Sequence, residues 1–469
     1  MAESGAERVG ATNRPQLDWL AGWRIGQDEN LHLVDSHVYN MLGSVVPEEP
    51  VTVPAALTAL LTLVARHESL RTAIHYEGTG RGHQSVHVSH SRPGAIEGYV
   101  TVVAEARARE VFDTVRRTAF RPADGFPLRA VLVTRGSRVT EVGLVADHLA
   151  IDDWGLRVLR AELDLLLAAA ESGVRPGAVG AADGILGADV PAQPLDITAW
   201  EESEAGVRRL ERALAYWERQ FTILHDLMGN GSANSPVRPA GRVPDPVFPT
   251  CSLVSERMAT AATAVAETLD TSVSAVLLAA FGSALGEISR SAAVRVEAHV
   301  LNRRSPAQRS AAVNLFMRAP IVVHGFDGSG PGLFEVVRDC SRQQLRGHAL
   351  AHVDRLHVEE LRNRILPPAL SPVVGNAWFN YQSTQVAGDM SRSTRLLAPM
   401  NDVADLPRDI VLPGESRRRG RPLVLRVLHM PGSVTLRLMW ERNVLTDPQA
   451  EELLRTTATL VTSLHDAVG

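Results

Sequence analysis

The sequence predicts a globular protein that mixes helices with strands and is large enough for two domains or lobes. Its 469 residues are 45% hydrophobic and 22% charged, an ordinary composition for a folded chain. An apolar strand over Val139–Val145 is followed by leucines at helical spacing, which begin at Leu156 and recur through Leu166. A strand end that leads into a helix start is a common place for chemistry, because a rigid frame there holds a side chain at a surface.

The helices are predicted from apolar periodicity and from residues that cap helix ends. Thr271 and Ser272 are suitable caps for an apolar helix that runs to Ile288, and Asp447 with Pro448 marks the start of the last helix. The other predicted helices share an apolar face at helical spacing: Pro54–Arg66, Ala104–Thr118, Trp154–Ala170, Ser203–Phe221 and Leu333–His348.

The strands are predicted from short apolar runs between turn residues: Ala130–Val133, Val139–Val145, Ala293–Val300, Val373–Gln382, Leu423–Leu428 and Thr435–Trp440. Ahead of them, residues 1–14 are predicted to be a loose N-terminal tail, and Leu17–Gly26 starts the folded part. The segment Glu171–Pro194 is rich in Gly, Ala and Pro and has little periodicity, so a boundary between two lobes is expected there.

Composition argues against several classes of protein. The 48 basic residues, all of them arginines, and the 53 acidic ones give a net charge of −5, which argues against nucleic-acid binding. No apolar run is long enough to span a bilayer, and Met1–Arg14 lacks the apolar core of a signal peptide. Cys251 and Cys340 make no disulfide framework, so a cytoplasmic location is expected. The absence of lysine excludes a lysine nucleophile.

The junction between strand and helix carries the candidate site residues, in the pattern Asp147-His148-x-x-x-Asp152-Asp153-Trp154. His148 can take and give a proton near neutral pH, which few side chains do. Asp152 is close enough in sequence to fold back toward His148, or it can pair with a distant cation. The alternative for Asp152 and Asp153 is a helix cap, because carboxylates at a helix N-terminus accept hydrogen bonds and match the helix dipole.

Three histidines are considered as metal ligands: His348, His352 and His357, of which the first two are four residues apart. No Glu follows His348 in the way that a zinc protease motif requires. We therefore expect structural or surface histidines and no metal site.

The pattern from Asp147 to Trp154 resembles the His-His-x-x-x-Asp-Gly-Trp motif of nonribosomal peptide synthetase condensation domains, which belong to the chloramphenicol acetyltransferase-like superfamily. Arg66–Thr72 matches the family's Arg-His-Glu-x-Leu-Arg-Thr motif at every fixed position, although a helix C-terminus is the alternative role for it. Arg303 and Pro320 match a further family segment, and Trp378–Gln382 resembles the Phe-Asn-x-Gln strand. The matches keep the family's order from about residue 15 to about residue 465.

The resemblance implies an α/β fold with mixed sheets, built as two acetyltransferase-like lobes in a V around a central tunnel. The expected lobes are residues 15–185, which carry the motif at Asp147, and residues 186–469. It also implies that no cofactor is bound permanently and that substrates arrive on the phosphopantetheine of carrier proteins. No carrier or adenylation motif accompanies these segments, so a free-standing enzyme is expected. It would meet a peptidyl or acyl carrier protein in trans, with a small-molecule or carrier-bound acceptor.

By resemblance, His148 is the catalytic residue in the attack of an amine or alcohol on a thioester carbonyl. It either takes the proton of the nucleophile or stabilises the zwitterionic intermediate, and the sequence leaves both possibilities open. Asp152 is expected to be structural and to pair with Arg303. Trp154 is expected to support the site.

Four positions depart from the family pattern. Asp147 replaces the first His of the motif, and Asp153 replaces its Gly. Further along, Met317 replaces a usual Asn and Arg318 a usual Thr. A side chain at position 153 either narrows the expected tunnel or caps the helix and points away from it.

Three functions are consistent with these residues. The first is a free-standing condensation enzyme that forms an amide or ester from a carrier-bound acyl group, motivated by His148, Asp152 and Arg303. The second is a catalytically degenerate docking module that recruits a carrier protein or tailoring enzyme, motivated by Asp147 and Asp153. The third is an acyltransferase with coenzyme A as donor, motivated by the superfamily alone.

Overall fold

The structure of the protein is a computed structural model, and it describes residues 6–26, 40–75, 82–87, 94–171, 185–186, 190–228, 248–324, 332–366, 377–383, 414–416, 422–442 and 444–468. This part of the chain divides into two compact units. The first unit holds the described residues up to Val207 together with Leu301–Phe316. The second unit holds Arg208–Val300 and the described residues from Met317 onward. The expected lobes at 15–185 and 186–469 stay a prediction.

The strands, in chain order, are β1 (Ala6–Ala11), β2 (Met41–Val45), β3 (Val51–Thr52), β4 (Thr72–His75), β5 (His83–His87), β6 (Val100–Ala104), β7 (Leu128–Arg135), β8 (Arg138–Ala146), β9 (Phe248–Ser255), β10 (Ala293–Val300), β11 (Met317–His324), β12 (Ala377–Ser383), β13 (Gly414–Ser416), β14 (Leu423–Met430) and β15 (Ser433–Trp440). The helices are α1 (Arg14–Gly26), α2 (Val53–Arg66), α3 (Ala108–Arg116), α4 (Asp153–Glu171), α5 (Pro194–Glu202), α6 (Glu204–Met228), α7 (Glu256–Thr268), α8 (Val273–Ser289), α9 (Pro306–Arg309), α10 (Leu333–Leu350), α11 (Arg355–Ile365) and α12 (Asp447–Val468).

The first unit contains two sheets. The larger has the order β2-β8-β7-β6, with β3 also paired to β8, and the smaller has the order β1-β5-β4. Helices α2 and α4 pack on the larger sheet, where Leu60, Leu132 and Leu163 are fully buried in one core. Strand β8 is buried on both faces from residue 141 to residue 146, which explains its nearly continuous apolar run. The turn that follows β8 is therefore held on a rigid frame.

The second unit is built on one seven-stranded sheet in the order β11-β10-β12-β14-β15-β9-β13. Strand β12 is parallel to β10 and to β14, and the other neighbours are antiparallel. Helix α8 is buried along most of its length against α10 and α12, and the Ser272 hydroxyl caps it by accepting a hydrogen bond from the Ala275 amide at 3.1 Å. Both units combine helices with sheets, and the predicted mixed α/β class is confirmed.

The prediction of a loose tail is wrong for residues 6–14. Strand β1 pairs antiparallel with β5, and Arg14 is already the first residue of α1. Thr12 and Asn13 are buried, and the Arg14 amide donates to both carboxylate oxygens of Glu201 at 3.0 Å. The polar composition of this segment suggested solvation, but buried polar groups within it form hydrogen bonds to distant segments. Residues 1–5 lie outside the described residues.

Most of the predicted elements are confirmed to within a few residues. The helix predicted at Ala104–Thr118 is an exception, because it begins only at Ala108, after strand β6. The strand predicted at Val373–Gln382 is described from Ala377, and the positions before it lie outside the described residues. Sequence reasoning missed five elements of the second unit: β9, α7, β11, α11 and β13.

Within the described residues, no single helix is long and apolar enough to cross a membrane. Helices α7 and α8 reach that length and composition only when taken together, and the chain bends by 110° between them.

Candidate active site

The turn between β8 and α4 presents His148, and its geometry is set by backbone hydrogen bonds. The Asp147 amide donates to the Pro127 carbonyl at 2.9 Å, which ties the start of the turn to the neighbouring β7. The Asp147 carbonyl then accepts from the amides of Ala150 and Ile151 at 3.0 and 3.2 Å. The turn closes in a single helix-like loop, with His148 at its second position.

The His148 ring is half-buried and held in one tautomer. Its Nδ1 lies 3.0 Å from the Ile151 carbonyl oxygen, which can only accept, so Nδ1 carries the proton and donates it. Burial lowers the pKa of His148, although the carboxylates of Asp152 and Asp153 act to raise it. The ring is therefore neutral near pH 7, and Nε2 has the free lone pair that a general base needs.

Two aromatic side chains flank this imidazole. The Trp19 ring on α1 lies with its centroid 4.3 Å from that of His148, at an interplanar angle of 34°. The Phe316 ring lies at 6.3 Å and 57°. Sequence reasoning noted Trp19 only as part of the first folded element, because nothing in the local pattern connects α1 to the turn after β8.

Asp147 is buried and does not face solvent. Its Oδ1 accepts from the Leu149 amide at 3.0 Å, and it lines a small pocket with Arg121 and Phe126. Burial raises the pKa of Asp147 to about 6, although the Leu149 amide and the Arg129 guanidinium act to lower it. The carboxyl group thus holds the backbone beside His148.

Asp152 and Arg303 form a buried ion pair. Arg303 Nη2 donates to Asp152 Oδ1 at 2.6 Å, and both side chains are at most 3% exposed. The same Oδ1 accepts from the Gly155 amide at 2.8 Å, which is the N-cap contact expected for an acidic residue before a helix. Oδ2 accepts from the Leu315 amide at 3.0 Å. This contact between Asp152 and Arg303 is the one expected from the resemblance, and their roles stay predictions.

Arg303 also fixes the course of its own segment, Leu301–Phe316, which we call the arginine loop. Its guanidinium donates to the carbonyl oxygens of Ala311 at 2.8 Å and Val313 at 2.7 Å, and also to that of Gln308. Helix α4 approaches the loop so closely at Gly155 that a Cβ there would lie 3.3 Å from the Ala312 Cα. A larger residue at 155 would displace one of the two backbones.

Asp153 and Trp154 lie at the start of α4 and point to different neighbours. The Asp153 carboxylate is 43% exposed and pairs with Arg157 one turn along the helix, at 2.9 Å. Trp154 Nε1 donates to the Arg309 carbonyl at 2.8 Å. Asp153 therefore takes part in a surface pair of the helix, whereas Trp154 attaches α4 to the arginine loop.

Asn314 is a site residue that sequence reasoning did not select. It is buried, and its Nδ2 donates to the His148 carbonyl at 2.9 Å while its Oδ1 accepts from the Phe316 amide at 3.1 Å. Its own amide donates to the Ala150 carbonyl at 2.9 Å. Asn314 thus joins the arginine loop to the turn of His148 at two points, and it makes a third contact within the loop. Its position inside a family segment was the only available signal.

The segment Arg66–Thr72 holds the other end of this loop. His67 Nδ1 accepts from the Ala312 amide at 3.3 Å, so its Nε2 carries the proton that it donates to Glu162 at 2.7 Å. The Ser69 hydroxyl donates to the Ala312 carbonyl. The alternative structural role of this motif at a helix C-terminus is supported, since Arg71 Nε donates to the Val64 carbonyl of α2 at 3.2 Å. In addition, His67 and Ser69 contact the loop that carries Arg303.

Met317 and Arg318, which depart from the family pattern, lie on β11 in the second unit. Met317 is buried, and Arg318 Nε lies 3.0 Å from Glu297 Oε2. The Arg318 guanidinium also lies 4.3 Å above the ring of Trp378. Arg295 pairs with the same Glu297 at 2.8 Å, so these arginines belong to a buried charged cluster of that sheet.

The three histidines considered as metal ligands are not grouped. His348 lies in the last turn of α10, whereas His352 lies beyond its end and is buried. His357 lies on α11, with Nδ1 3.6 Å from Asp354. In the part of the chain that the structure describes, no three His, Cys, Asp or Glu side chains are placed to hold a metal ion.

Comparison with known proteins places this geometry in a family. The model of the family described as Condensation domain matches residues 30–324. Enniatin synthase from Fusarium equiseti is 30% identical over 172 residues, which are 37% of this chain and 5% of that enzyme. The chain therefore spans only a small part of this curated relative's length.

Solved structures share the fold across nearly the whole chain. A condensation domain that mediates chain release from the enacyloxin polyketide synthase has a TM-score of 0.66 and 19% identity, over 99% of this chain and 84% of that one. The epimerization domain from the third module of tyrocidine synthetase B has a TM-score of 0.64 and 13% identity, over 99% of both chains. These likenesses show the fold, which is the predicted acetyltransferase-like one. With 295 matched residues out of 469, the chain belongs to the condensation domain family of nonribosomal peptide synthesis.

Proposed function

We propose that this chain is a condensation enzyme that meets carrier proteins in trans. It joins an acyl or aminoacyl thioester on a carrier's phosphopantetheine to an amine or alcohol acceptor. The observation that carries the proposal is the state of His148: a neutral ring whose Nδ1 proton is donated to the Ile151 carbonyl and whose Nε2 has a lone pair available. Condensation domains in general act on carrier-bound substrates, which fits this assignment.

In the proposed reaction, the oxygen of an alcohol acceptor or the nitrogen of an amine acceptor attacks the thioester carbonyl carbon. His148 Nε2 takes the acceptor proton as the new C–O or C–N bond forms. The C–S bond then breaks, and the pantetheine thiolate leaves with that proton to become the thiol. A neutral amine is already a good nucleophile, so the base should matter most for an alcohol.

The other site residues support His148 and do not take part in proton transfer. Asp147 and Asn314 both hold the peptide unit that follows His148, through the Leu149 amide and the His148 carbonyl. Asp152 and Arg303 hold the arginine loop against the start of α4. Preorganisation of this kind keeps the base in a productive position and removes the need to order it during the reaction.

The test uses carrier proteins encoded beside this gene, loaded with acyl groups and mixed with this protein and a pool of amines and alcohols. Intact mass spectrometry follows acyl loss from the carrier. We expect acyl loss that requires an acceptor and that falls by about 100-fold to 10,000-fold in His148→Ala. Glu110→Gln, which changes an exposed ion pair with Arg107, is the control and should retain activity. Full activity in a folded His148→Ala protein would refute the proposed role.

A second candidate is a docking module that binds a carrier protein or tailoring enzyme without turnover. It is motivated by Asp147, a carboxyl group where the family has its first His, and by Asp153 where the family has Gly. Stable complex formation with a carrier and no acyl loss in the same assay would favour it. Activity with acyl-coenzyme A that exceeds activity with the acyl-carrier would instead favour a coenzyme A acyltransferase.

A further inference from the structure

The ring of Trp19 on α1 lies directly against the imidazole of His148. We propose that the indole face of Trp19 is a positioning and tuning element for His148, which stabilises the imidazolium formed when His148 takes the acceptor proton. The proposal rests on the proposed function because it adds a residue to that same site. It gives α1 a part in positioning His148, although the first residue of this helix was predicted to belong to a loose tail.

The ring geometry suits an interaction between a cation and an aromatic face. A cation is attracted to the face of an indole when it lies within about 6 Å of the ring centroid, and Trp is the strongest of the aromatic residues in this respect. The two ring centroids lie 4.3 Å apart, and the planes are inclined by only 34°. Phe316, at 6.3 Å and 57°, lies beyond that range and presents a weaker aromatic face.

Trp19 is held in place by packing around it. Leu20, the next residue of α1, is buried in a small apolar cluster with Ile74 and Leu149, and Trp19 packs against that cluster. Leu149 follows His148 directly in the chain, so this cluster joins the helix of Trp19 to the turn of His148.

The N-terminus of α1 is anchored by polar contacts. Asn13 and Gln16 form a reciprocal cap, in which each side-chain oxygen accepts from the other residue's amide at 2.9–3.0 Å. Gln16 Nε2 also donates to Gln84 on β5 at 3.0 Å, and the Arg14 amide donates to Glu201. The helix that carries Trp19 is thus tied to a strand and to another helix.

Electrostatics explain why a neutral aromatic face is useful here. Two charged side chains act electrostatically on the ring, those of Asp152 in the turn and Asp153 at the start of α4. Asp152 is paired with Arg303 and Asp153 with Arg157, so their attraction for an imidazolium is offset by nearby positive charge. Trp19 can favour the charged ring without forming a salt bridge that would keep His148 protonated before the reaction.

The test measures the pKa of His148 by NMR in the free protein labelled with nitrogen-15 histidine, with the signal assigned by its loss in His148→Gln. We expect Trp19→Leu to lower the pKa of His148 by about half a pH unit to one pH unit, and Trp19→Phe to lower it by less. The nitrogen shifts also report whether Nδ1 keeps its proton. Phe316→Leu is the matched control, and it should change the pKa less than Trp19→Leu does.

An unchanged pKa in a folded Trp19→Leu protein, or an equal change in Phe316→Leu, would overturn the proposal. If Trp19→Leu does not fold, fluorinated tryptophan incorporated into the natural protein weakens the aromatic face without changing its shape. It should then lower the pKa of His148 in the natural protein and leave it unchanged in Trp19→Phe. No substrate is present in the pKa measurement, so its result does not depend on turnover. A failure of the proposed function would be seen only in the carrier assay.

Discussion

Arg303 donates a hydrogen bond of 2.6 Å from Nη2 to Oδ1 of Asp152, and both side chains are almost completely buried. The pair joins the start of α4 to the arginine loop, since Asp152 also accepts from the amides of Gly155 and Leu315. A buried charge that loses its partner is costly, because it has neither water nor an opposite charge nearby.

Asp152→Ala should therefore lower the free energy of unfolding by about 3–5 kcal/mol. The measurement is urea unfolding followed by circular dichroism. Asp153→Ala, which removes the exposed pair with Arg157 from the same helix, is the control and should cost about 1 kcal/mol or less. Equal stability of the two variants would contradict the role given to Asp152.

Asp147 makes stability depend on pH in an identifiable direction. Its pKa is about 6 in the folded protein and close to 4 in an unfolded chain, so the folded state holds the proton more tightly. The stability that this group contributes is fully present below about pH 4 and is lost as the pH rises through 6.

Asp147→Asn should remove this dependence, because the amide oxygen can still accept from Leu149 and the side chain cannot ionise. At each pH, the unfolding free energy of the variant is compared with that of the natural protein. Between pH 4 and pH 8, the variant should become more stable relative to the natural protein by up to about 3 kcal/mol. Unfolding curves at a series of pH values give this difference. A difference that is constant with pH would show that Asp147 titrates normally.

His67 should control the order of the arginine loop. Replacement of His67 by Leu leaves the Ala312 amide and the Glu162 carboxylate without their partner, at a cost of about 1–3 kcal/mol. Amide hydrogen exchange read by mass spectrometry should become faster over residues 309–316. Arg107→Ala, which removes an exposed pair with Glu110, should leave exchange in that segment unchanged. Unchanged exchange in His67→Leu would mean that the other contacts of the loop hold it without His67.

The pattern of apolar residues along the sequence was sufficient to predict the strand β8 and the helix α4, which hold the site. The apolar run of β8 and the leucine repeat of α4 are signals that neighbouring residues carry by themselves, so the turn that presents His148 could be located from sequence. The contact between Asp152 and Arg303 spans 151 positions and has no local signal. It was expected only because both residues match ordered family motifs.

The other contacts could not be predicted from the sequence, because they are tertiary contacts between distant segments. Thr12 and Asn13 have the composition of a loop, and only their partners at Gly82 and Pro194 make them part of a folded element. Trp19 fits an ordinary apolar helix face until α1 is seen against His148. The orientation of the Asp153 side chain likewise depends on a partner, because it pairs with Arg157 on α4.

Asn314 offers the sharpest test of the backbone that carries His148. Asn314→Asp keeps an oxygen for the Phe316 amide, but it removes the donor to the His148 carbonyl and places a negative charge against it. The cost of an unsatisfied buried group next to a charge, about 1.5–3 kcal/mol, corresponds to roughly a 10-fold to 100-fold loss in the rate of acyl transfer. The rate is measured in the carrier assay at saturating acceptor.

Asn40→Asp is the matched control, because Asn40 Nδ2 also donates to two carbonyl oxygens, those of Arg116 at 2.8 Å and Thr118 at 3.0 Å, away from the turn of His148. The same chemical change should therefore reduce stability at position 40 without a comparable loss of rate. If both variants lose rate in proportion to their loss of folded protein, Asn314 supports the fold only. If only Asn314→Asp loses rate per folded molecule, the backbone of His148 must be held from the arginine loop for the base to act.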